Sequence, residues 1–503
     1  MKDKDGPIEK VSMGANTALR SKQILTHSLP KEGSINELDG LEQFLLLSGH
    51  TLLVKGYAGA GKTTLAFQLL GNLGRGKEGA ERVYISSRVS EDKIQVQIPS
   101  TRKMLSNRNF VDLRLGTPAS IMEEVAGQLG KTSVSTRKSV GDKEGRSKSS
   151  SVIVLDTWDG LAKELDEVER LKAEKALIAM ADASGSRIVF VSEEPGKTTM
   201  DYLVDGIVEL ARSEEYGRIF REIEIQKLRG VQIAQHKYLY TLLDGRFSYL
   251  PPYAEPDYSK AKEFEPTSDL RESRRYSFGC QGLDEIFGGI RKGSTFTIEY
   301  SHNVPYGAIR LLHVPPIINF LNLGRSVLFI PMLGAGVEEI ESIIRPLVSE
   351  DAFRNRLRIA TITSGDGEKL PPPLFSMGHS NVEEEHRRVL QLVDELKAKS
   401  VDRNVLIVDG MSFLENVFAS RLDSLVEAIA DRVIRTQRFG DAALFLLQTD
   451  SPIKSSVLSM SHSHARLFIK DRCVVLLGEK PNTEAYVLCH SKNPILPELT
   501  RIV

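Results

Sequence analysis

The chain has 503 residues, more than one hydrophobic core usually organises, so two or three domains are expected. Apolar residues make up 41% and charged residues 26%, which excludes wholesale disorder, and a net charge of -1 excludes a global pull toward nucleic acid or an anionic membrane. Three cysteines (Cys280, Cys473, Cys489) without a C-x-x-C pair fit free thiols in a reducing compartment. The lack of a signal-like leader or of about 18 to 20 consecutive apolar residues predicts a cytoplasmic protein that does not enter the membrane.

Residues 1–30 are polar and irregular and read as a flexible segment. From there INELDGLEQFLLLSG predicts a helix and TLLVKG a short buried strand. Four more apolar runs follow: RVYISS from Arg82, FVDLRL from Phe110, SVIVLDT from Ser151 and RIVFVSE from Arg187. Helical stretches such as TTLAFQLLGNL and GLAKELDEVERLKAEKALIAMADA alternate with them, and strand alternating with helix predicts a parallel sheet covered on both faces. Residues 131–150 hold six basic and two acidic residues and six serines. They read as a flexible basic insertion, either a solvated loop or an arm for a partner or nucleic acid. Proline and charge displace apolar periodicity over 251–275, which reads as a linker. Beyond it come STFTIEY, SVLFIPM, LRIATIT, NVLIVDG and AALFLLQ, a second series of strands with the rhythm of the first. The expectation is an α/β protein of two tandem units, 31–250 and 276–503, left by duplication.

The chemistry is concentrated in Gly56-Tyr57-Ala58-Gly59-Ala60-Gly61-Lys62-Thr63, followed by Thr64, which satisfies G-x-x-x-x-G-K-[ST] with a strand before and a helix after. Glycines let successive backbone N–H groups curl around phosphate oxygens, and the helix start turns its positive end toward them. Lys62 would then meet the β and γ phosphates, and the Thr63 hydroxyl suits magnesium. Asp156, at the end of SVIVLD, is the carboxylate expected to order the magnesium shell. The cofactors implied are ATP and Mg2+.

In motif order the chain resembles the RecA superfamily, specifically the KaiC-like ATPases, which often carry two such domains in tandem. VDGIVEL (Val204 to Leu210) and REIEIQKLRGVQ (Arg221 to Gln232) look like that family's late antiparallel strands. The resemblance implies that Lys227 and Arg229 of K-L-R-G reach a neighbouring subunit's γ phosphate, and hence a homo-oligomer in the form of a ring. FGCQGLDEIFGGIRKGSTFTIEYS resembles the family's lead-in to a phosphate loop, but with Tyr300 on the first loop glycine, Pro305, Tyr306 and Gly307 fall where Gly61, Lys62 and Thr63 stand. The second unit therefore reads as a degenerate domain, with Asp409 a relic of the metal position. Ser87 and Arg88 occupy the place where the family's water-polarising glutamates stand, which leaves Glu91 or Glu193 as substitutes and slow or no hydrolysis as the expectation.

SGHTLLVKGYAGAGKTTLAFQLL with VYISSRVS most resembles archaeal gas-vesicle regulators of the GvpD type, which implies a protein partner such as a transcription activator. Three basic clusters read either as solvated faces or as surface for that partner: Arg271, Arg274 and Arg275; His386, Arg387 and Arg388; Arg432, Arg435 and Arg438. The leading expectation is an ATP-dependent regulatory switch. A DNA-dependent recombination ATPase and a protein with a purely structural nucleotide are the alternatives.

Overall fold

The computed structural model describes residues 40–73, 81–103, 109–137, 151–194, 196–261, 263–270, 274–362, 370–378 and 381–503. Segments expected at 1–30 and 138–150 lie outside them. In the first half the aliphatic runs become β1 (Thr51–Gly56), β2 (Arg82–Ser86), β3 (Phe110–Asp112), β4 (Val152–Asp156) and β5 (Arg187–Ser192). β1 and β4 are buried along their whole length, as strands with helices on both faces must be. β6 (Gly206–Glu215), β7 (Arg218–Leu228), β8 (Lys237–Thr241) and β9 (Ser248–Tyr249) complete a nine-stranded sheet in the order β3-β2-β4-β5-β1-β6-β7-β8-β9. The strands through β6 run parallel, and β6 to β9 are antiparallel.

After a two-stranded ribbon of β10 (Arg275–Tyr276) and β11 (Ile290–Arg291), the plan repeats. β12 (Ser294–Tyr300), β13 (Ser326–Ile330), β14 (Leu357–Ile362), β15 (Leu374–Met377), β16 (Val405–Gly410) and β17 (Ala442–Gln448) supply the parallel part. β18 (Ser463–Lys470), β19 (Cys473–Lys480), β20 (Asn482–His490) and β21 (Pro497–Arg501) supply the antiparallel part. The order is β15-β14-β13-β16-β17-β12-β18-β19-β20-β21, the first sheet's order strand for strand with β15 added at one edge. The molecule is thus α/β with two large, mostly parallel sheets flanked by helices, as expected of two tandem P-loop domains.

The sheets also share a core. Phe220, Leu239 and Leu250 from the first half pack with Phe468, Val475, Val487 and Ile502 from the second, so the antiparallel extensions of the two sheets face each other across apolar side chains. Two helical expectations change. Residues 131–137 continue the helix Pro118–Arg137 rather than starting a loop. GLAKELDEVERLKAEKALIAMADA breaks into Trp158–Ala162 and Glu167–Ser184, because Asp166 accepts from the Glu169 N–H and Glu169 reaches back, a capping box that starts a new helix. Among the described residues no helix is long and apolar enough to cross a membrane.

Candidate functional site

The carboxyl ends of β1, β2, β4 and β5 lie side by side, and the chain leaving β1 turns at once into the helix Lys62–Leu73. Gly56 has φ +150°, and a Cβ there would sit 2.6 Å from the Leu210 carbonyl on β6, so this position admits no side chain. Gly61 has φ +91°, a conformation that side chains rarely adopt, and a Cβ there would crowd the Leu242 methyls. The loop between them therefore keeps the tight glycine backbone that a phosphate cradle needs. Lys62 is buried and donates to the Gly56 and Tyr57 carbonyls at 2.6 and 2.9 Å, and burial lowers its pKa against the opposing charges of Glu193 and Asp156.

A cavity of about 330 Å3 opens over the loop. Residues 58, 59 and 61–64 line it on one side, and Ser86, Arg88, Asp156, Thr157 and Glu193 on another. Thr63 Oγ1 donates to Asp156 Oδ2 at 2.7 Å, which brings the two expected magnesium groups together. The Tyr84 hydroxyl also donates to that oxygen, from a ring stacked on Phe67 of the loop helix. Burial raises the Asp156 carboxyl above the usual range, against the lowering pull of Tyr84, Thr63 and Lys62, and it raises the Tyr84 phenol well above its own. Among the described residues no cluster of three or more His, Cys, Asp or Glu side chains could hold a metal. The hydroxyl and carboxylate fit magnesium only as Mg2+ usually binds, through one or two protein oxygens with phosphate and water completing its shell.

Several lining residues escape the motif. Arg88 and Glu193 form an ion pair across the mouth of the cavity. Glu193 is held there by its own N–H, which donates to Asp159 Oδ2 at 2.6 Å. Glu91, the other expected substitute, begins the helix Glu91–Gln97 and accepts from Gln95, whereas Ile94 and Gln97 of that helix face the cavity. Ser87 is spent on structure: its hydroxyl donates to the Thr157 carbonyl and accepts from the Thr157 N–H. From the β6–β7 hairpin, Arg221 donates to the Gly59 carbonyl at 3.1 Å, with Arg212 opposite it in the ladder and near Gly59. The Tyr240 hydroxyl donates to the Ala60 carbonyl. Strand alternation in GIVELARSEE and RIFREIEIQKL hints at these arginines, but nothing local says that the hairpin folds back over the loop.

Lys227 and Arg229 lie elsewhere. Lys227 pairs with Ile207, which pairs with Leu53, and Arg229 N–H donates to the Asp205 carbonyl beside Thr51. At about 3.3 Å per residue along β1, Arg229 is about 16 Å from Gly56, at the edge opposite the phosphate loop, and Lys227, level with Leu53, is about 10 Å from it. Lys227 donates to the Val204 and Asp201 carbonyls, and Arg229 pairs with Asp205 at 3.1 Å. Neither touches its own chain's loop. The basic clusters are also partly committed: Arg432 is buried against Asp409, while His386 and Arg435 share Asp431. Arg271 lies outside the described residues.

In the second sheet the helix Tyr306–Asn322 follows β12 after the same five-residue gap, which sets Tyr306 at the position of Lys62. Its hydroxyl donates to the Leu333 carbonyl. Gly307, in place of Thr63, is covered from the linker: the Glu255 carboxylate lies 1.9 Å from where a Cβ would be, and the Tyr258 hydroxyl donates to the Gly307 carbonyl.

Asp409 is not the relic of the metal position. Asp156 pairs through Val191 to Val54, two residues before Gly56. The residue that pairs through Leu446 to Ile298, two residues before Tyr300, is Gly410. Asp409 is one residue off, and a shift of one residue reverses the face of the sheet. Val408 packs on the side of the helix Tyr306–Asn322, while Ile407, and Asp409 with it, faces the other side. There Asp409 meets Arg432 at 3.2 Å. At Gly410 a Cβ would lie 2.3 Å from the Pro331 carbonyl, so the place that Asp156 holds in the first sheet has no room here for any side chain.

Comparison with known proteins agrees with this geometry. Residues 41–226 match the family model described as GvpD gas vesicle protein, P-loop domain, a domain type that implies nucleotide binding. Protein GvpD2 of Halobacterium salinarum is 24% identical over 469 residues, covering 90% of this chain and 93% of the relative. Protein GvpD1 of the same organism is 22% identical over 521 residues, covering 92% and 95%. The match spans both sheets, so the chain resembles the GvpD gas vesicle proteins over most of its length, with the P-loop domain in its first half.

Proposed function

We propose that the chain is an ATP-dependent regulatory switch of the GvpD type: the first sheet binds ATP with Mg2+, and the second, without a cradle, carries the change to a protein partner such as a transcription activator. The observation that carries this reading is the contrast between two matched helix starts. One opens on a glycine loop with Lys62, Thr63 and Asp156, and the other is covered by Glu255 and Tyr258 with Gly410 where the metal carboxylate belongs.

A route between the halves supports a switch rather than a structural nucleotide. Arg221 joins the Gly59 carbonyl of the loop to the Val503 carbonyl at 2.7 Å, Thr241 Oγ1 donates to the Arg501 carbonyl at 2.9 Å, and Tyr240 holds Ala60. A phosphate that moves the loop therefore pulls on the strand that closes the second sheet. Lys227 and Arg229 lie away from their own chain's loop, so in this reading the protein is a homo-oligomer in which they exchange their present partners for a neighbouring copy's γ phosphate. With Ser87 and Arg88 in place of glutamates, turnover is slow.

The test is calorimetric titration of Mg-ATP and sedimentation with and without it, for the wild type and Lys62→Ala. Binding by the wild type alone, with a nucleotide-dependent change in mass or shape, is expected. A variant that binds and sediments as the wild type does in every condition would sink the reading.

A further inference from the structure

The Arg88–Glu193 ion pair is the feature of the cavity that the phosphate-loop motif does not explain. Arg88 follows β2 and Glu193 follows β5, and β4 with Asp156 lies between those strands. The two side chains thus meet across the end of β4, which carries Asp156, in the cavity that Lys62 and Thr63 line. Of the charges around the Lys62 ammonium, that of Glu193 acts most strongly, ahead of Asp156. Both members are partly exposed, at 52% and 36% of their side-chain surface, and an ion pair so placed is weak enough for a better anion to displace.

We infer that this pair is an in-chain sensor of the γ phosphate: the terminal phosphoryl group takes Arg88 from Glu193, and the freed carboxylate orients the attacking water. The inference rests on the site proposed above and adds what distinguishes a triphosphate from a diphosphate there. An arginine fork matches phosphoryl oxygens with two parallel N–H donors, and it stabilises the charge that spreads over those oxygens during transfer. Only a nucleotide with a third phosphate extends past Lys62 toward Arg88, so the diphosphate leaves the pair closed. Once released, Glu193 remains in place because Asp159 holds its backbone N–H, and Arg170 holds Asp159 at 3.2 Å. The step is a hydrolysis. The water oxygen bonds to the γ phosphorus as the bond from that phosphorus to the β–γ bridging oxygen breaks, with its electron pair going to the diphosphate. One water proton passes to Glu193 and then to solvent.

The cation thus sits after β2 and the carboxylate after β5, two strands away on the other side of Asp156.

The experiment measures Kd for Mg-ADP and for the magnesium complex of the non-hydrolysable imido analogue of ATP, and single-turnover hydrolysis of Mg-ATP, in the wild type, Arg88→Ala, Arg88→Lys and Glu193→Gln. In Arg88→Ala the preference for the triphosphate over the diphosphate falls about tenfold, and Arg88→Lys, with charge but no fork, recovers part of it. Glu193→Gln, freed of the pair, binds the triphosphate at least as tightly as the wild type while hydrolysis falls at least tenfold. Arg88→Ala with an unchanged preference overturns the sensor, and Glu193→Gln with wild-type hydrolysis, or a wild type without turnover, overturns the role of the carboxylate. Failure of the wild type to bind either nucleotide overturns the underlying site as well, and is distinguishable because it precedes any difference among variants.

Discussion

Replacing Glu299 by glutamine removes one charge from the second sheet and leaves Lys454, His464 and Arg466 facing one another without their shared carboxylate. The Glu299 side chain is fully buried on β12, with Lys454 at 2.6 Å, His464 at 2.8 Å and Arg466 at 3.1 Å. Burial alone would raise its pKa. The hydrogen bonds from His464 and Lys454 and the charge of Arg466 outweigh burial and hold it at about 2, against an ordinary 4.5. At about 1.4 kcal/mol per pH unit, the difference corresponds to about 3 kcal/mol of folding stability at neutral pH. Because the folded-state pKa is depressed, this contribution is complete above pH 4.5 and is lost as pH falls toward 2, with about half gone by pH 3. Urea unfolding followed by circular dichroism at pH 7, 5, 4 and 3 should show Glu299→Gln less stable by about 3 kcal/mol at pH 7, with the gap closing below pH 4.5. A gap of the same size at pH 7 and pH 3, or none at pH 7, would refute the electrostatic account. The matched position in the first sheet is Lys55, one residue before Gly56 as Glu299 is one before Tyr300, and it binds Asp201 at 2.8 Å. The two halves thus fill one buried position with opposite charges, each with a partner of the opposite sign, as expected of duplicated sheets that have since diverged.

Three further outcomes follow from the packing. Gly410→Asp, which copies Asp156 into the second sheet, should misfold or destabilise the chain rather than create a second site, because its Cβ meets the Pro331 carbonyl at 2.3 Å; expression and thermal unfolding check this. Arg221→Ala should cost only about 1 to 2 kcal/mol of stability, since its donors are partly exposed, yet it should weaken the spread of nucleotide-induced amide protection from the loop to β21, read by hydrogen exchange with and without Mg-ATP. Phe468→Ala opens the core shared by the sheets and should destabilise by about 3 to 5 kcal/mol, with susceptibility to proteolysis rising in both halves together; loss confined to the second half would mean the sheets are independent.

Gly56 to Thr63 could be read directly because a phosphate cradle is local: eight consecutive residues between a strand and a helix carry it whole. Asp156 was legible for a related reason, an aliphatic run that ends on a carboxylate, and the tandem α/β plan followed from two series of such runs. The same reading fails at Asp409. SVIVLD and NVLIVDG look alike as strings, but the face a strand residue presents depends on its register with β17 and β12, and one residue of offset turns the carboxylate away from the site. Lys227 and Arg229 belong to a recognisable string whose place in the sheet is set by the pairing of Lys227 with Ile207 and by the Arg229 N–H on the Asp205 carbonyl.

Local pattern thus determines the parts whose chemistry lies in one segment, because periodicity and glycine placement act over a few residues. Tertiary structure decides the rest: that Arg88 meets Glu193 across 105 positions of sequence, that Arg221 links Gly59 to Val503, and that Glu255 covers the second helix start. These contacts join segments whose order in the chain carries no record of their distance in space, and only sheet register and loop closure bring them together.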